Sequence, residues 1–589
     1  MRISQLAGLA AMIALIATVA CSGANAQRQP CQQIRKACLA AGFHQGGAKA
    51  GEGVINDCLA PLMSGLPQRP NASIPLPTVD RQLVAECKRV NPKFGGPMAS
   101  MTVAPPLSAN PEPVPVAGPP PTRTDRPNIV FILADDFSWD LLSPDLIEQS
   151  MPNVARMRRE GATFLSYFVT DSLCCPSRSS IFTGKLPHNT NVFTNTPPLG
   201  GYGAFMAHND DAHTFALTLQ QAGYKTAMLG KYLNGYEPAT NGVPQGWSEW
   251  DVDGDQGYGE FNYPLNQNGT VLVHPDYLTD VVSKLGRLFI GKSAAEPFFI
   301  EIATFAPHAP YIPAPRDADH FPGLTYPRGP SWGVRPDAAA PQWLQQIPPM
   351  RPGEIAAIEK AHRMRVQSDQ AIDEMIGDIR ALLARAGLDR NTYIVFSSDN
   401  GYHMGEYSLR PGKMTPFDTD IRVPLIIVGP GVPAGRTVSE ITENVDLAPT
   451  FAEIAGRARG QTGPLDPDGH SLMPLLRADG AAEHESWRHV ALVEHRHPVK
   501  DPTDPDIPEP SSGNPPSYEA VRLPGSMYVE YDDPQHEVGY YDLKADPLEM
   551  RNIVSSLTPA QRKRLHDILT VNSTCVGVQA CWAAQQQLP

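Results

Sequence analysis

The chain has 589 residues, among them 61 prolines and 48 glycines, and 48 Lys plus Arg against 62 Asp plus Glu leave a net charge of −14. At roughly 150 residues per domain that is room for three or four domains, or one large domain with additions, and proline at about twice its usual frequency argues against a helical bundle or coiled coil. The negative balance argues against a nucleic-acid binder, which needs excess cationic charge to displace counterions, so an anionic substrate must meet a local basic pocket.

Residues 1–26 read as a secretory signal: Arg2 supplies positive charge, Leu6 to Val19 is a short apolar run, and Ala24-Asn25-Ala26 is a small-x-small cleavage site. The run is shorter than the roughly 20 residues that span a bilayer, and nothing later is long and apolar enough, so no transmembrane segment is expected and the chain is assigned outside the cytoplasm, secreted or periplasmic. Cys21 follows Thr18-Val19-Ala20 and loosely resembles a bacterial lipoprotein box; lipoprotein anchoring is the lesser alternative, because Thr18 stands where a larger aliphatic is usual.

Eight cysteines remain, and in an oxidising compartment their grouping is informative. Cys31, Cys38, Cys58 and Cys87 fall in residues 27–102, a small helical module with too little apolar mass to hold without staples. Two intramolecular bridges are expected there, in any of three pairings, and the module's expected role is surface attachment or targeting. Residues 103–126, with Pro105, Pro106, Pro111, Pro113, Pro115 and Pro119 to Pro121, read as a stiff extended linker unable to build a ladder. Cys575 and Cys581 are expected to form a terminal clip. That leaves Cys174 and Cys175 adjacent, one of them a candidate for special chemistry.

The catalytic body is expected to begin at Pro127. Asn128 to Ala134 (NIVFILA) is a continuous apolar run typical of a strand buried on both faces, followed at once by Asp135 and Asp136. Further on, Ile372, Met375, Ile376, Ile379, Leu382 and Leu383 fall on one helical face and Gly387 offers a C-terminal cap. The next run, Thr392 to Phe396, ends in Ser397-Ser398-Asp399-Asn400-Gly401. Helix then buried strand predicts a parallel α/β sheet, and ligands gather at the carboxyl ends of such strands. Three carboxylates and one amide oxygen at two strand ends form an oxygen-only set suited to Ca²⁺ or Mg²⁺, with no His or thiolate cluster beside them to indicate zinc.

Between these strands lies Asp171-Ser-Leu-Cys174-Cys175-Pro176-Ser177-Arg178, followed by Thr183-Gly184-Lys185. Pro176 suits the first turn of a helix, so Cys174 is expected at a helix N-terminus, where partial positive charge and Arg178 favour an anionic or polarised group. This stretch resembles the signature of the formylglycine-dependent sulfatases of the alkaline phosphatase superfamily. The resemblance extends over about 127–555, and CCPSR, TGKLPHN, GKYLNGY, TDIRVPL and the terminal Cys pair are most similar to the N-acetylglucosamine-6-sulfatase branch.

The resemblance implies an α/β fold: a large mixed, mostly parallel sheet flanked by helices over 127–455 and a smaller C-terminal α+β subdomain over 456–589. It implies that Cys174 is oxidised to formylglycine by a maturation enzyme, with Cys175 in a variable position. It further implies that Asp135, Asp136, Asp399, Asn400 and the modified Cys174 hold Ca²⁺, or Mg²⁺, and that Arg178 holds the aldehyde hydrate. Lys185, Lys231, His308 and Lys413 match basic residues around the sulfate. In the implied cycle one hydroxyl of the hydrate attacks sulfur while His308 and Lys413 help the alcohol leave, and the second hydroxyl then expels sulfate. Many relatives carry a histidine two residues after the lysine matching Lys231. Here that place is Leu233, and His188 is the expected substitute. The implied substrate is a sulfated carbohydrate bearing 6-O-sulfated N-acetylglucosamine, as in glycosaminoglycans. The alternatives are a phosphonate or phosphate ester hydrolase of the same superfamily, a non-catalytic sulfated-glycan-binding protein if Cys174 is unmatured, and a thiol redox role.

Overall fold

The computed structural model describes residues 30–43, 53–68, 72–90, 94, 102–108, 114–116, 126–457, 463–477, 487–501, 504–506 and 511–588. The signal segment 1–26 with Cys21, and much of the proline-rich stretch, lie outside them. The chain divides into two compact units, one of residues 1–107 with 261–264 and 271–276, the other of the remaining residues.

In the first unit, Cys31 pairs with Cys87 and Cys38 with Cys58, which decides between the three possible pairings. Ile34, Phe43, Val54, Leu59 and Met63 pack around the two bridges. So few apolar side chains bury little area, and the crosslinks make up the deficit. Thr102 and Val103 pair in parallel with Leu272 and Val273, and the Ala104 amide continues to the Val273 carbonyl at 2.8 Å. The expected linker therefore starts inside a ladder, which stops where Pro105 and Pro106 have no amide to offer.

The second unit is built on a twisted sheet. Its central members are β1 (Asn128–Ala134), the helix α1 (Cys174–Thr183) that packs near it, β2 (Lys225–Lys231), β3 (Phe298–Ala303), the 34-residue helix α2 (Pro352–Arg385), β4 (Thr392–Ser398) and β5 (Leu425–Val428). The strand order is β2-β3-β1-β4-β5, parallel up to β4 and antiparallel at β5. Every residue of β1, β3 and β4 is buried, because both faces of the sheet are covered; this is why these runs are mostly apolar and do not alternate, with Glu301 of β3 the one buried charged side chain in them. Ile129, Phe131 and Leu133 join the main core with Phe299, Phe215 and Phe451. After it, β6 (Ala491–His495), β7 (Tyr518–Leu523), β8 (Ser526–Tyr531) and β9 (Val538–Asp542) make a four-stranded antiparallel sheet. Helices α3 (Pro559–Asn572) and α4 (Val578–Gln585) close it, clipped by the Cys575–Cys581 bridge.

Register creates the site. Leu133 stands opposite Ala303, Ala134 opposite Ser398, and Gly230 opposite Ala303, so four parallel strands stop level with one another. Whatever follows them emerges on one rim: Asp135 and Asp136, Asp399 and Asn400, Lys231, and the loop that carries His308. Gly230 must be glycine, since its φ is +90° and an added Cβ would lie 1.9 Å from the Ala303 carbonyl oxygen.

The crosslinks dominate the first unit's stability. Replacing Cys38 and Cys58 by serine, which opens a loop of sequence separation 20, should cost roughly 3 kcal/mol, and opening Cys31–Cys87, of separation 56, somewhat more. Calorimetry of the serine variants beside the wild type should show an early transition moving while the main one stays in place.

Candidate active site at the rim of the sheet

Helix α1 starts at Cys174, with extended Leu173 as its N-cap, and all ten residues are buried. Pro176 falls in the first turn, where its missing amide leaves no intrahelical bond unmade. Gly184 ends the helix with a φ of 71°, and an added Cβ there would lie 2.7 Å from Pro467. The helix is held to the rim by polar contacts: Ser177 Oγ donates to the Asp399 carbonyl, Asn444 Nδ2 donates to Ser177 Oγ at 2.9 Å, and Asn195 Oδ1 accepts the Cys175 amide at 3.0 Å. One turn after Cys174, Arg178 Nε donates to Asp399 Oδ2 at 2.8 Å and Nη1 to the Lys231 carbonyl at 2.8 Å. Its Nη2 has no hydrogen-bond partner among the described residues and lies 4.0 Å from Asp135 Oδ1.

Cys174 Sγ accepts from Lys413 Nζ at 2.9 Å and donates to Asp135 Oδ1 at 3.3 Å. Burial, reinforced by Asp135, pushes its thiol well above the ordinary range, so at neutral pH an unmodified Cys174 is protonated and a poor nucleophile. Cys175 is also buried, its thiol pushed up to about 12, and it packs into the hydrophobic core.

The carboxylates are closely set against cations. Lys231 Nζ donates to Asp135 Oδ2 and lies 4.8 Å above the Tyr258 ring; Lys413 Nζ donates to Asp136 Oδ1 at 2.7 Å. Burial and Asp399 raise the Asp135 carboxyl, whereas Asp399, although buried, is held low by Arg178 first and then by the two lysines. His308 lies with Nε2 3.6 Å from Asp136 Oδ2. Burial alone would lower it, but Asp136, Asp506 and Asp135 outweigh that and raise it, which shifts the ring towards its imidazolium form. Asp136 has a φ of 63°, a left-handed conformation that aspartate tolerates better than most residues and that turns its side chain into the rim.

A divalent cation fits this set. Asp136 Oδ2 and Asn400 Oδ1 are buried without a hydrogen-bond partner among the described residues. Ligand atoms of Asp135, Asp136, Cys174 and His308 lie within 4.8 Å of one another. Here the structure corrects the sequence reading: the acidic residues do have a thiol and an imidazole beside them, brought in by α1 and by the loop after β3. Spacing along the chain could not reveal this.

Two of the sequence-derived residues lie elsewhere. Lys185 is half-buried just past α1, where it acts on Asp210, whose carboxyl burial pushes up to about 7. His188 places Nδ1 2.8 Å from Glu494 Oε2 and Nε2 2.8 Å from the Cys575 carbonyl, so both ring nitrogens are occupied in joining α1's exit to the C-terminal subdomain. That is a structural position, and the expected substitution of His188 for the histidine absent at Leu233 has no geometry behind it. Leu233 is buried in the core with Tyr232 and Tyr236. Sequence reasoning missed Asp506, Asn195, Tyr258 and Arg365, whose Nη2 donates to the Asp136 carbonyl at 2.6 Å. None sits in a motif, and only the fold brings them to the rim.

The sulfatase family matches residues 127–457, more than half of the chain. This chain belongs to the sulfatase family. The sulfatase is 34% identical over 485 residues to N-acetylglucosamine-6-sulfatase of Capra hircus, covering 77% of this chain and 84% of that protein. The enzyme of the same name from Homo sapiens is 34% identical over 487 residues, with 77% and 86% covered. A protein solved in complex with its substrate, D-glucosamine-2-N,6-O-disulfate, superposes with a TM-score of 0.60 at 25% identity, over 76% of this chain and 97% of that one. The phosphonate monoester hydrolase of Agrobacterium radiobacter shares the fold, with a TM-score of 0.56 at 22% identity and 76% and 95% covered.

Two measurements check the placements. Asp136→Asn should weaken divalent-cation binding about tenfold or more in calorimetric titration, because it removes one anionic oxygen from the cluster while keeping the shape. His188→Gln should lower stability by about 2 kcal/mol at neutral pH, a figure discounted for partial exposure. The His188 imidazole is pushed up to about 9, mainly by Glu494 against the opposing effect of burial. A raised folded pKa stabilises fully below the unfolded value, near 6.5, and the contribution is lost as pH rises through about 9. The Tm difference between variant and wild type should therefore close above pH 9.

Proposed function

We propose that this sulfatase removes the 6-O-sulfate of N-acetylglucosamine-type residues in glycosaminoglycans, acting from the end of short fragments, with formylglycine made from Cys174 and Ca²⁺, or Mg²⁺, as its cation. The supporting observation is the position of Cys174: at the N-terminus of a fully buried helix, bonded to Lys413, one turn before Arg178, and beside Asp135 with its partner Lys231. The relatives named for this activity cover most of their own length with this chain, which supports the substrate class.

Asp135, Asp136, Asp399 and Asn400 would hold the cation, which supplies charge neutralisation for the ester's sulfate oxygens. Formylglycine in its hydrated form would supply paired hydroxyls in place of a protonated thiol. With sulfur exchanged for oxygen at Cys174, the hard oxygens dominate the ligand set, which favours Ca²⁺ or Mg²⁺ over zinc. The chain's own groups do the rest. Lys231 and Lys413 are kept charged by the carboxylates they touch and counter the sulfate's negative charge. Arg178, fixed by Asp399 and the Lys231 carbonyl, leaves Nη2 to position the oxygen at residue 174. Protonated His308 is the donor to the departing alcohol.

A net charge of −14 requires a localised basic site, and the cations at the rim are such a site in a chain otherwise unsuited to a long polyanion. No helix among the described residues is long and apolar enough to cross a membrane. The signal at 1–26 would direct the chain to a secreted or periplasmic location, where the first unit serves attachment. A maturation enzyme of the host would read Cys174, Pro176 and Arg178.

The mass of the peptide containing Cys174 is the deciding measurement, with formylglycine or its hydrate expected there and an unmodified thiol at Cys175. Cys174→Ala should abolish turnover and Cys175→Ala should retain much of it. Glucosamine-6-sulfate should be hydrolysed faster than 2-O-sulfated uronate, simple aryl sulfates or an aryl phosphonate ester. Faster phosphonate cleavage would assign the site to the other ester class, and binding without turnover by unmodified protein would make it a glycan-binding site.

A further inference from the structure

Asp506 belongs to no motif, yet its carboxylate lies at the centre of the rim. Oδ1 is 2.8 Å from His308 Nε2 and 3.0 Å from Lys413 Nζ. Oδ2 accepts from Asn195 Nδ2 at 2.8 Å and lies 3.5 Å from Cys174 Sγ. Asp504 supports this placement: its Oδ1 accepts the Asp506 amide at 2.9 Å and Asn195 Nδ2 at 3.3 Å. Asn195 in turn accepts the Cys175 amide, so Asp506 is anchored to the start of α1 itself.

Two of the donors around this carboxylate, Lys413 and His308, are the ones that the sulfatase reading assigns to the ester sulfate and to its departing alcohol. A cavity of about 90 Å³ is lined by Asp136, His308, Lys413 and Asp506 among others; Cys174 is not among its lining residues and has no exposed surface. A sulfate ester cannot approach the oxygen at residue 174 while a second anion occupies His308 and Lys413, because two like charges a few ångströms apart in a buried site repel strongly. One of the two anions must leave.

We propose that Asp506 is a specificity-determining residue that occupies the sulfate position in the resting enzyme, so that only an anion able to displace a carboxylate from His308 and Lys413 reaches residue 174. This rests on the reading of the rim as a sulfate site. The binding-competent state is the one with Asp506 withdrawn, and the apparent affinity of every anion is lowered by the fraction of molecules in that state.

The test uses the full-length matured protein with Asp506→Asn, which keeps the shape and removes the charge, and Asp506→Ala. Binding of inorganic sulfate is measured by calorimetry at constant ionic strength, beside KM and kcat on a 6-sulfated glucosamine. Sulfate should bind about tenfold more tightly in the variants, the scale of losing a charge-assisted competitor, and KM should fall by a similar factor. Sulfate affinity that is unchanged, weaker or undetectable in folded Asp506→Asn overturns the proposal, and a rise in KM at constant sulfate affinity would make Asp506 a sugar ligand instead. Failure of the sulfatase reading looks different: wild-type protein carrying formylglycine would turn over no sulfate ester, whatever its affinity for sulfate.

Discussion

Two of the four strands that stop level with one another deliver three carboxylates into a space with almost no solvent, and much of the second unit is arranged to make that tolerable. Asp135, Asp136 and Asp399 are fully buried, and burying unpaired charge costs several kcal/mol per group. The compensation is Arg178 on Asp399, Lys231 on Asp135 and Lys413 on Asp136, each cation nearly as buried as its partner. Such pairs contribute little net stability, but losing one partner costs about 3–5 kcal/mol, so the set persists only as a whole.

Helix α1 is the element that this balance requires. It is buried on every side, so it cannot be placed by an apolar stripe alone; side-chain hydrogen bonds from Asn195, Ser177 and Asn444 hold it against the rim. Its far end runs into Gly184 and the segment from Lys185 to Asn189, where His188 and Asn189 reach Glu494 and the Cys575 carbonyl. The C-terminal sheet and its clip therefore brace the helix that bears Cys174. A remote subdomain acts on the site through rigid packing, without contributing a reacting group from its strands.

The same geometry reconciles an acidic protein with an anionic substrate. Surface charge sets long-range attraction and is screened within about 8 Å at physiological salt, whereas cations at the bottom of a buried rim act at contact distance in a medium of low dielectric. Asp506 adds a further carboxylate at the centre of the rim, between His308 and Lys413, so under the displacement proposed for it selection is local and does not depend on steering.

Several features were legible in the chain itself. NIVFILA and TYIVF announce buried strands because a sheet covered on both faces admits no polar alternation, and the acidic pairs after them mark the carboxyl rim. Cys174-Cys175-Pro176 marks a helix start because proline fits only the first turn, and the surrounding motif marks the family. The count of four cysteines in the first unit set two bridges, but the choice of Cys31–Cys87 with Cys38–Cys58 needed the packing of its helices. Local patterns end where contacts become long-range. Asp506 is 332 residues from Cys174, and nothing near it in sequence distinguishes it from any other aspartate in a proline-rich loop. His188 lies close to Cys174 in the chain yet turns towards Glu494, because the Gly184 cap redirects the backbone after α1. The sequence determined which chemistry the chain carries, since residue type and strand pattern are local; tertiary structure alone decided which side chains share the rim, since that depends on register between strands hundreds of residues apart.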